Sequence, residues 1–299
     1  MAGDALSQDP AVLRNRIDTT KAHPARVYDV FLGGKDNYPV DRETAAAGLA
    51  ANPRGYLDVR HNRDFMRRAV TTLTRDGIRQ FLDIGTGLPT AENVHQIAQR
   101  ITPDSRVVYV DNDPVVLAHA RALLTSGPEG VIDYIDADLT APAQILEEAA
   151  KTLDFDQPIA LCLVAVLHFI EDERAYPVVK ELIDALPAGS RLVLSHLTED
   201  LNPAKIRAVQ ETYTKRGFTF VLRSKDEVAR FFEQSDLVVD EPGVVPAHHW
   251  RFEEGAPAPE GIETERFEAL DDIEKVRYRD INDVTDADIN VYTATGRKV

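Results

Sequence analysis

Apolar and polar positions change their spacing along the chain in a way that outlines its secondary structure. From residue 78 onward, short runs of apolar and β-branched residues alternate with longer stretches in which apolar residues recur at helical spacing. This alternation is typical of consecutive βα units, in which helices cover both faces of a parallel sheet. The short runs predict strands over residues 79–84, 106–111, 131–136, 158–165, 190–196, 237–241 and 291–295. The longer stretches predict helices over residues 90–101, 113–125, 142–153, 172–186, 203–216 and 224–235.

These elements predict an α/β fold with a doubly wound, mostly parallel, seven-stranded sheet of the Rossmann-like type. The last strand is expected to pair with the sixth as an antiparallel edge. Residues 56–76 have apolar residues at helical spacing before Gly77 and predict a further helix. We therefore predict a helical N-terminal cap or lid over residues 1–76 and a core over residues 77–299. Residues 253–289 break the pattern with GAPAPEG and acidic sequence, and are interpreted as an insertion in the core.

Composition narrows the class of protein. The 299 residues, 43% of them hydrophobic, are enough for one large α/β domain with additions or for two modest domains. A single cysteine, Cys162, excludes an internal disulfide and a cysteine-cluster zinc site, and fits a reducing compartment. The longest apolar run, 157–170, is too short to span a bilayer, and the N-terminus resembles no secretion signal. We expect a cytoplasmic protein without a membrane segment.

The charge of the chain bears on its partners. The formal net charge of −16 should repel a phosphate backbone, so no nucleic-acid partner is predicted. The charge is uneven, however. Residues 1–80 hold 13 Lys and Arg against 10 Asp and Glu, whereas residues 253–289 hold 4 against 13. One interpretation is that the N-terminal third carries a locally basic surface. The plainer alternative is that the acidic surface only aids solubility.

The segment FLDIGTGLPT, over residues 81–90, joins an apolar strand to a glycine turn. Gly85 and Gly87 lack a Cβ atom, so a ligand can approach the backbone there, and the N–H groups at a following helix start favour a negative group. Asp83, at the strand end, suits a cationic amino group such as that of S-adenosylmethionine. NAD is disfavoured because its G-x-G-x-x-G fingerprint needs glycine where Thr90 stands. A tight turn without a ligand is the remaining alternative.

Two further carboxylates follow the next two strands. Asp111 ends its strand and can accept both hydroxyls of a ribose, with Asn112 directly after it. Asp138 can accept from the amino group of adenine, while Leu139 packs near the ring. Either carboxylate could instead cap a helix or a loop. Three carboxylates after three successive strands favour the nucleoside interpretation.

The motifs DIGTG at 83–87, VDNDP at 110–114, DADL at 136–139 and VAVLHFIED at 164–172 resemble the ordered motifs of class I methyltransferases. RVYDVFLGGKDNYPVDRE at 26–43, HNRDFMRRAV at 61–70 and GIRQFLDIGTGLPT at 77–90 resemble a bacterial family of S-adenosylmethionine-dependent methyltransferases. This resemblance covers about residues 20–252 and GRK near the C-terminus. It implies that Asp83, Gly85 and Gly87 hold the methionine end, Asp111 the ribose and Asp138 the adenine. Pro89 replaces a third glycine found in many class I enzymes.

The pattern of an arginine ahead of GIRQ, which begins at residue 77, also resembles that of leucine carboxyl methyltransferase-like enzymes. That resemblance implies that Arg63 binds the carboxylate of the cofactor. A solvated arginine on an amphipathic helix is the alternative.

Methyl transfer depends mainly on holding the acceptor in line with the methyl group. If the acceptor is a hydroxyl, His168 after the fourth strand is the first candidate base, and a packed histidine is the alternative. His196, after the fifth strand, has the same ambiguity, and Cys162 is interpreted as core. No metal site is predicted, and the pair His248 and His249 is interpreted as a structural or substrate-side feature.

The segment VFLGGKDNY, over residues 30–38, predicts a lid. Gly33 and Gly34 would act as its hinge. The candidate contacts to cofactor or acceptor are Tyr28, Lys35, Asn37 and Tyr38. A simple turn between two helices is the alternative.

The sequence thus predicts an S-adenosylmethionine-dependent methyltransferase that acts on an unidentified small molecule and releases S-adenosylhomocysteine. A regulatory or catalytically silent adenosyl-binding protein of the same fold is the first alternative. A NAD-dependent oxidoreductase is the second. The oligomeric state does not follow from the sequence.

Overall fold

The structure is a computed structural model that describes residues 17–90, 92–123, 125–251 and 261–299. The first part of the predicted cap, residues 1–16, and residues 253–260 of the predicted insertion lie outside the described residues. Three helices precede the sheet: α1 (Pro24–Phe31), α2 (Pro39–Ala51) and α3 (Tyr56–Arg75).

The predicted βα units follow in the predicted order. They are β1 (Gln80–Ile84), α4 (Val94–Ile101), β2 (Arg106–Asp111), α5 (Pro114–Leu123), β3 (Val131–Asp136), α6 (Pro142–Ala149), β4 (Ile159–Val164), α7 (Asp172–Asp184) and β5 (Arg191–Leu197). The remaining elements are α8 (Pro203–Thr214), α9 (Lys225–Glu233), β6 (Leu237–Val239), β7 (Val245–Pro246), α10 (Thr264–Glu268), α11 (Asp272–Lys275) and β8 (Val291–Lys298).

The strands form one sheet in the order β3-β2-β1-β4-β5-β8-β6. β1 to β5 are parallel to their neighbours, whereas β8 is antiparallel to both β5 and β6. The doubly wound, mostly parallel α/β fold is therefore confirmed. The prediction that the last strand forms an edge is wrong, because β8 lies between β5 and β6. The two-residue β7 also pairs with β8 and raises the strand count to eight.

Local capping explains where the predicted helix bounds shift. The helix expected from residue 90 begins at Val94, because Asn93 caps it. The Asn93 side chain accepts a hydrogen bond from the backbone N–H of Gln96. In return, Gln96 Oε1 accepts from the Asn93 N–H at 2.8 Å. This capping box satisfies the first free N–H groups of the helix. Residues 85–90 therefore form an irregular turn between β1 and α4.

Alternation along the strands supplies the two faces of the core. Leu82 and Ile84 of β1 join the cluster beneath α6, α7 and α9, whereas Phe81 joins the cluster beneath α3 and α4. Cys162 is fully buried in the second cluster, as expected from its apolar strand. Within the described residues, no helix is long and apolar enough to cross a membrane.

A third cluster lies past the C-terminal end of β5 and the start of β8. It joins α1 and α2 to α8 and to the segment 261–290, through residues such as Val30, Leu49, Ile206 and Val276. The N-terminal helices therefore cover the sheet edge at which an open α/β sheet binds its ligands.

Candidate functional site

A cavity of about 500 Å³ lies at the carboxyl ends of β1 to β5, under α1 and α3. Of the predicted site residues, it is lined by Tyr28, Arg63, Asp83, Gly85, Gly87, Asp111, Asn112, Asp138, Leu139 and His168. The predicted contacts Lys35, Asn37 and Tyr38 do not line it. The sheet topology thus brings together side chains that are far apart in sequence.

The glycine turn after β1 needs both of its glycines, for different reasons. Gly85 and Gly87 have φ values of +76° and +69°, a region that disfavours residues with a Cβ atom. A Cβ on Gly85 would lie 2.5 Å from Cγ2 of Val166, so this glycine allows close packing. A Cβ on Gly87 would meet nothing within 4 Å among the described residues. Because Gly87 lines the cavity, a ligand can approach its backbone directly.

Asp83 and Arg63 both line the β1 end of the cavity. Burial raises the pKa of Asp83 to about 7, although Arg63 and a hydrogen bond from Thr86 act in the opposite direction. Arg63 Nη2 donates to the backbone oxygen of Glu92 at 3.0 Å. Its Nε is buried, and among the described residues it has no hydrogen-bond acceptor. The pair fits the ammonium and carboxylate groups of a methionine end.

Asp111 is held by the glycine turn that it faces. Its Oδ2 accepts from the Gly87 N–H and its Oδ1 from the Asp113 N–H, both at 2.9 Å. Burial raises the pKa of Asp111, and these two hydrogen bonds oppose the rise. Each oxygen keeps a second lone pair for a ribose hydroxyl. Asp113 accepts from the Val115 N–H and caps α5, so it takes the capping role that Asp111 could have had.

Asn112 and Asp138 are joined across the β2 and β3 ends. Asn112 Nδ2 donates to Asp138 Oδ2 at 2.9 Å, and the Thr140 N–H donates to Asp138 Oδ1 at 2.8 Å. Burial would raise the pKa of Asp138, but its hydrogen bonds from Thr140 and Asn112 outweigh burial and lower it. Asp138 is therefore a fixed, ionised acceptor beside Leu139, which suits the amino group and ring of adenine.

His168 and His196 lie close together at the β4 and β5 ends, with ring centroids 5.7 Å apart. Burial and the charge of Arg223 lower the pKa of His168 to about 3, so its ring is neutral. Among the described residues, its Nδ1 has no hydrogen-bond partner. His196 differs, because its Nε2 lies 2.5 Å from Arg223 Nη1 and its Nδ1 lies 2.7 Å from the backbone oxygen of Leu197. A guanidinium only donates, so His196 Nε2 accepts and its proton lies on Nδ1.

Arg223 is a buried residue that supports the site from behind, and the sequence does not reveal it. Its guanidinium is 1% exposed and donates to the backbone oxygens of Leu167 and Ile170 at 3.0 and 2.9 Å. Its Nε also donates to Asp172 Oδ1 at 2.9 Å. Arg223 therefore fixes both ends of the turn that carries His168.

A second group of unforeseen side chains comes from α3. Asp58, Val59, Asn62 and Met66 line the cavity together with Arg63, at the spacing of one helix face. Asp58 accepts from both the backbone N–H and Nδ2 of Asn290, and burial raises its pKa to about 7. Asn62 Nδ2 donates to the Tyr28 hydroxyl at 2.8 Å, which in turn donates to the backbone oxygen of Val59. Polar residues four positions apart on an amphipathic helix were the available signal.

The segment predicted as a lid is folded into a compact turn. Asp29 Oδ2 accepts from the Asp36 N–H and from Asn37 Nδ2, at 3.1 and 2.9 Å. A Cβ on Gly34 would overlap the Asp29 carboxyl group. Tyr38 packs beside Leu88 of the glycine turn and the start of α5. Lys35 is exposed.

Buried charges join α1 to the β2 end of the site. Arg26 Nε lies 3.4 Å from Asp113 Oδ2 and 3.7 Å from Asp41 Oδ2, and both carboxylates are buried. His23 Nδ1 lies 3.0 Å from Asp113 Oδ2. The N-terminal segment and α1 thus contact Asp113, two residues after Asp111.

The comparisons with known proteins agree with this geometry. A family model described as S-adenosyl methyltransferase matches residues 10–298. A DUF574 family protein from Streptomyces avermitilis is 41% identical, has a TM-score of 0.84, and is matched over 95% of this chain and 100% of that chain. A candidate methyltransferase from Thermobifida fusca is 34% identical, with a TM-score of 0.76 and matched shares of 94% and 96%.

A more distant structure shares the fold alone. The plantazolicin methyltransferase BpumL, in complex with a triazolic substrate analogue and S-adenosylhomocysteine, is 11% identical with a TM-score of 0.50, over 92% of this chain and 95% of that chain. Among curated proteins no match is found. The chain belongs to the S-adenosyl methyltransferase family, as a class I enzyme that uses S-adenosylmethionine and releases S-adenosylhomocysteine.

Proposed function

We propose that the chain methylates a small, largely apolar molecule in the cytoplasm, with no nucleic acid as partner. The single observation that carries this proposal is the apolar part of the cavity beyond the cofactor residues. That part is lined by Val27, Phe31, Val59, Met66, Phe169, Ile206, Val209, Tyr213, Phe220 and Val291. Enclosed apolar pockets with a few polar groups suit small ligands. The N-terminal helices cover it, which disfavours a polymer as acceptor.

The cofactor-binding roles follow from the fit of the cavity. S-adenosylmethionine supplies an electrophilic methyl group and leaves as S-adenosylhomocysteine. Asp83 and Arg63 would hold its amino acid end, Asp111 and Asn112 the ribose, and Asp138 with Leu139 the adenine. Gly85 and Gly87 shape the turn between these groups. Tyr28, whose hydroxyl is held by Asn62 and Val59, would help to orient the methyl group.

His168 is the proposed contact for the acceptor atom. The Nδ1 of its neutral ring can accept a hydrogen bond from an acceptor hydroxyl or N–H group. With a pKa of about 3, the ring is a weak base, so positioning of the acceptor contributes more than proton removal. His196 is a poorer candidate because Arg223 already occupies its Nε2.

We also propose that residues 1–76 act as a cap that closes over the bound cofactor, and that residues 253–289 form an insertion of the core domain. The contacts of Arg26 and Tyr38 with the β2 end and the glycine turn support closure around the cofactor. Lys35, Asn37 and Tyr38 would act in the lid through its structure rather than through contact with ligand.

A direct experiment tests the proposed acceptor class. The full chain is incubated with S-adenosylmethionine labelled in its methyl group and with a metabolite extract, and labelled products are identified by mass spectrometry. We expect the label in a small apolar molecule. Label recovered only in nucleic acid or protein would contradict the proposal, and S-adenosylhomocysteine binding without any turnover would favour the regulatory alternative.

The role of His168 is tested on the acceptor so identified. His168→Gln should leave the affinity for S-adenosylhomocysteine unchanged. If the acceptor is a hydroxyl, turnover should fall by about a hundredfold, the loss expected when the acceptor is misplaced. Full turnover of the variant would show that His168 is a packing residue.

A further inference from the structure

Side chains of three potential metal ligands converge outside the methyl-transfer site, where His248 and His249 meet the acidic segment, residues 261–289. His248 Nε2 and His249 Nε2 lie 3.1 and 2.6 Å from Asp286 Oδ1. The three atoms all lie within 4.8 Å of one another. None of these three residues lines the main cavity. We propose that His248, His249 and Asp286 bind a divalent transition-metal ion of the zinc type.

The donor set selects the class of metal. Two imidazole nitrogens and one carboxylate oxygen suit zinc and its neighbours, whereas magnesium and calcium prefer oxygen ligands. Zinc bonds of about 2.0–2.2 Å in tetrahedral geometry place neighbouring ligand atoms about 3.3 Å apart. The two Nε2–Oδ1 distances of 3.1 and 2.6 Å lie near this value, and the two imidazole nitrogens lie within 4.8 Å of each other. Three protein ligands leave the fourth position for water.

The histidine side of the site is held rigidly by contacts that do not involve the metal ligands. Arg68 donates to the backbone oxygens of Ala247 and Trp250, both at 2.8 Å, so it brackets the histidine pair. The Ala247 N–H donates to the backbone oxygen of Val291 at 2.9 Å. Trp250 is fully buried and its ring lies edge-on to Phe65, at 5.1 Å between centroids. Two adjacent anchors thus fix the backbone of His248 and His249.

The carboxylate side is held independently. Thr285 Oγ1 donates to Asp288 Oδ2 at 2.8 Å, closing the turn in which Asp286 lies. Arg54 Nε lies 2.8 Å from Asp288 Oδ1, and Asn202 Nδ2 donates to the Ala287 backbone oxygen at 2.8 Å. The bound ion would therefore link two preformed segments, and it would fasten the acidic segment to the body of the protein.

Metal titration of the untagged full chain tests the site. The protein is first treated with EDTA, dialysed, and titrated with zinc chloride by calorimetry. We expect one ion per chain with a dissociation constant in the micromolar range or tighter, and zinc should raise the thermal unfolding midpoint. His249→Ala and Asp286→Asn should each weaken binding by about tenfold or more. Both side chains are more than half exposed, so these variants should keep the fold.

His119→Ala is the matched control, because His119 pairs with a single carboxylate, Asp36, at 3.4 Å. It should bind zinc like the unaltered chain. All variants should retain their affinity for S-adenosylhomocysteine, which separates this proposal from the proposed function. Absence of saturable zinc binding, or undiminished binding in both ligand variants, would overturn the site and leave two histidines hydrogen-bonded to one carboxylate.

Discussion

Burial shifts the pKa values of acidic and basic side chains in the cavity in opposite directions. The pKa of Asp83 is raised to about 7, whereas the pKa of His168 is lowered to about 3, and burial is the largest cause of both shifts. At neutral pH, Asp83 is therefore partly protonated and His168 is neutral. A carboxyl group in this state changes its charge when a cation binds beside it.

We expect cofactor binding to release a proton near pH 7. The ammonium group of S-adenosylhomocysteine favours ionised Asp83, so its pKa falls on binding. Calorimetry at pH 7 in two buffers of different ionisation enthalpy should differ by the equivalent of about half a proton per site. Asp83→Asn should abolish the difference. Asp58→Asn, which alters the other cavity carboxyl with a pKa of about 7, should retain it. Equal enthalpies in both buffers for the unaltered chain would contradict this assignment.

The buried Arg223 side chain stabilises the turn after β4 through three acceptors, the backbone oxygens of Leu167 and Ile170 and the carboxylate of Asp172. Arg223→Met would leave two backbone oxygens and Asp172 without their donor, so the free energy of unfolding should fall by about 2–3 kcal/mol. Urea denaturation measures the change. Arg207→Met, which removes an exposed pair with Glu199, is the control and should leave the midpoint unchanged. Equal midpoints for both variants would show that Arg223 contributes little.

At the scale of elements, sequence patterns predicted the bounds of the strands better than they predicted which strands pair with each other. β1 to β3 match their predicted bounds to within one residue, because each is a compact apolar run with a polar boundary. The place of β8 between β5 and β6 did not follow, since the pattern of a strand does not state its pairing. The grouping of Asp83, Asp111 and Asp138 in one cavity was predicted because parallel strands end at one edge of the sheet. Arg223 and Asn62 were not, because their contacts join elements that are distant in sequence.

Val209 of α8 lines the apolar part of the cavity. Val209→Trp places a large ring in this space, so methyl transfer to the acceptor should fall by about a hundredfold or more, as expected when the acceptor is misplaced. Affinity for S-adenosylhomocysteine, measured by calorimetry, should stay within about twofold. Ala204→Trp alters an exposed position of the same helix and should change neither quantity. Loss of cofactor binding in Val209→Trp would contradict the proposed division of the cavity.

Closure of the N-terminal cap is tested by limited proteolysis. Lys35 is exposed in the turn held by Asp29, so trypsin can report on opening of this segment. S-adenosylhomocysteine should slow cleavage after Lys35, because the cap contacts the β2 end and the glycine turn. Cleavage after Lys151, an exposed residue that does not line the cavity, is the internal control. Equal rates after Lys35 with and without the ligand would indicate a fixed turn.

At the scale of the whole molecule, the uneven charge has an internal explanation. Several arginines of the basic N-terminal third are directed at other parts of the chain. Arg54 pairs with Asp288, and Arg60 Nη1 donates to the backbone oxygens of Val276 and Arg279, so both contact the acidic segment. Arg26 pairs with Asp113 in the interior. These arginines therefore hold the protein together and are not available as a basic surface for a polyanion.

The central claim is that the cavity at the carboxyl ends of β1 to β3 binds the cofactor, and Asp111 is its most direct test. Calorimetric titration with S-adenosylhomocysteine should show that Asp111→Ala weakens binding by about 30-fold to 1000-fold, since a charged acceptor for two hydroxyl groups is worth about 2–4 kcal/mol. Asp104→Ala, which alters an exposed loop, is the control and should bind like the unaltered chain. Unchanged affinity in a folded Asp111→Ala variant would contradict the account, because the cofactor would then bind elsewhere.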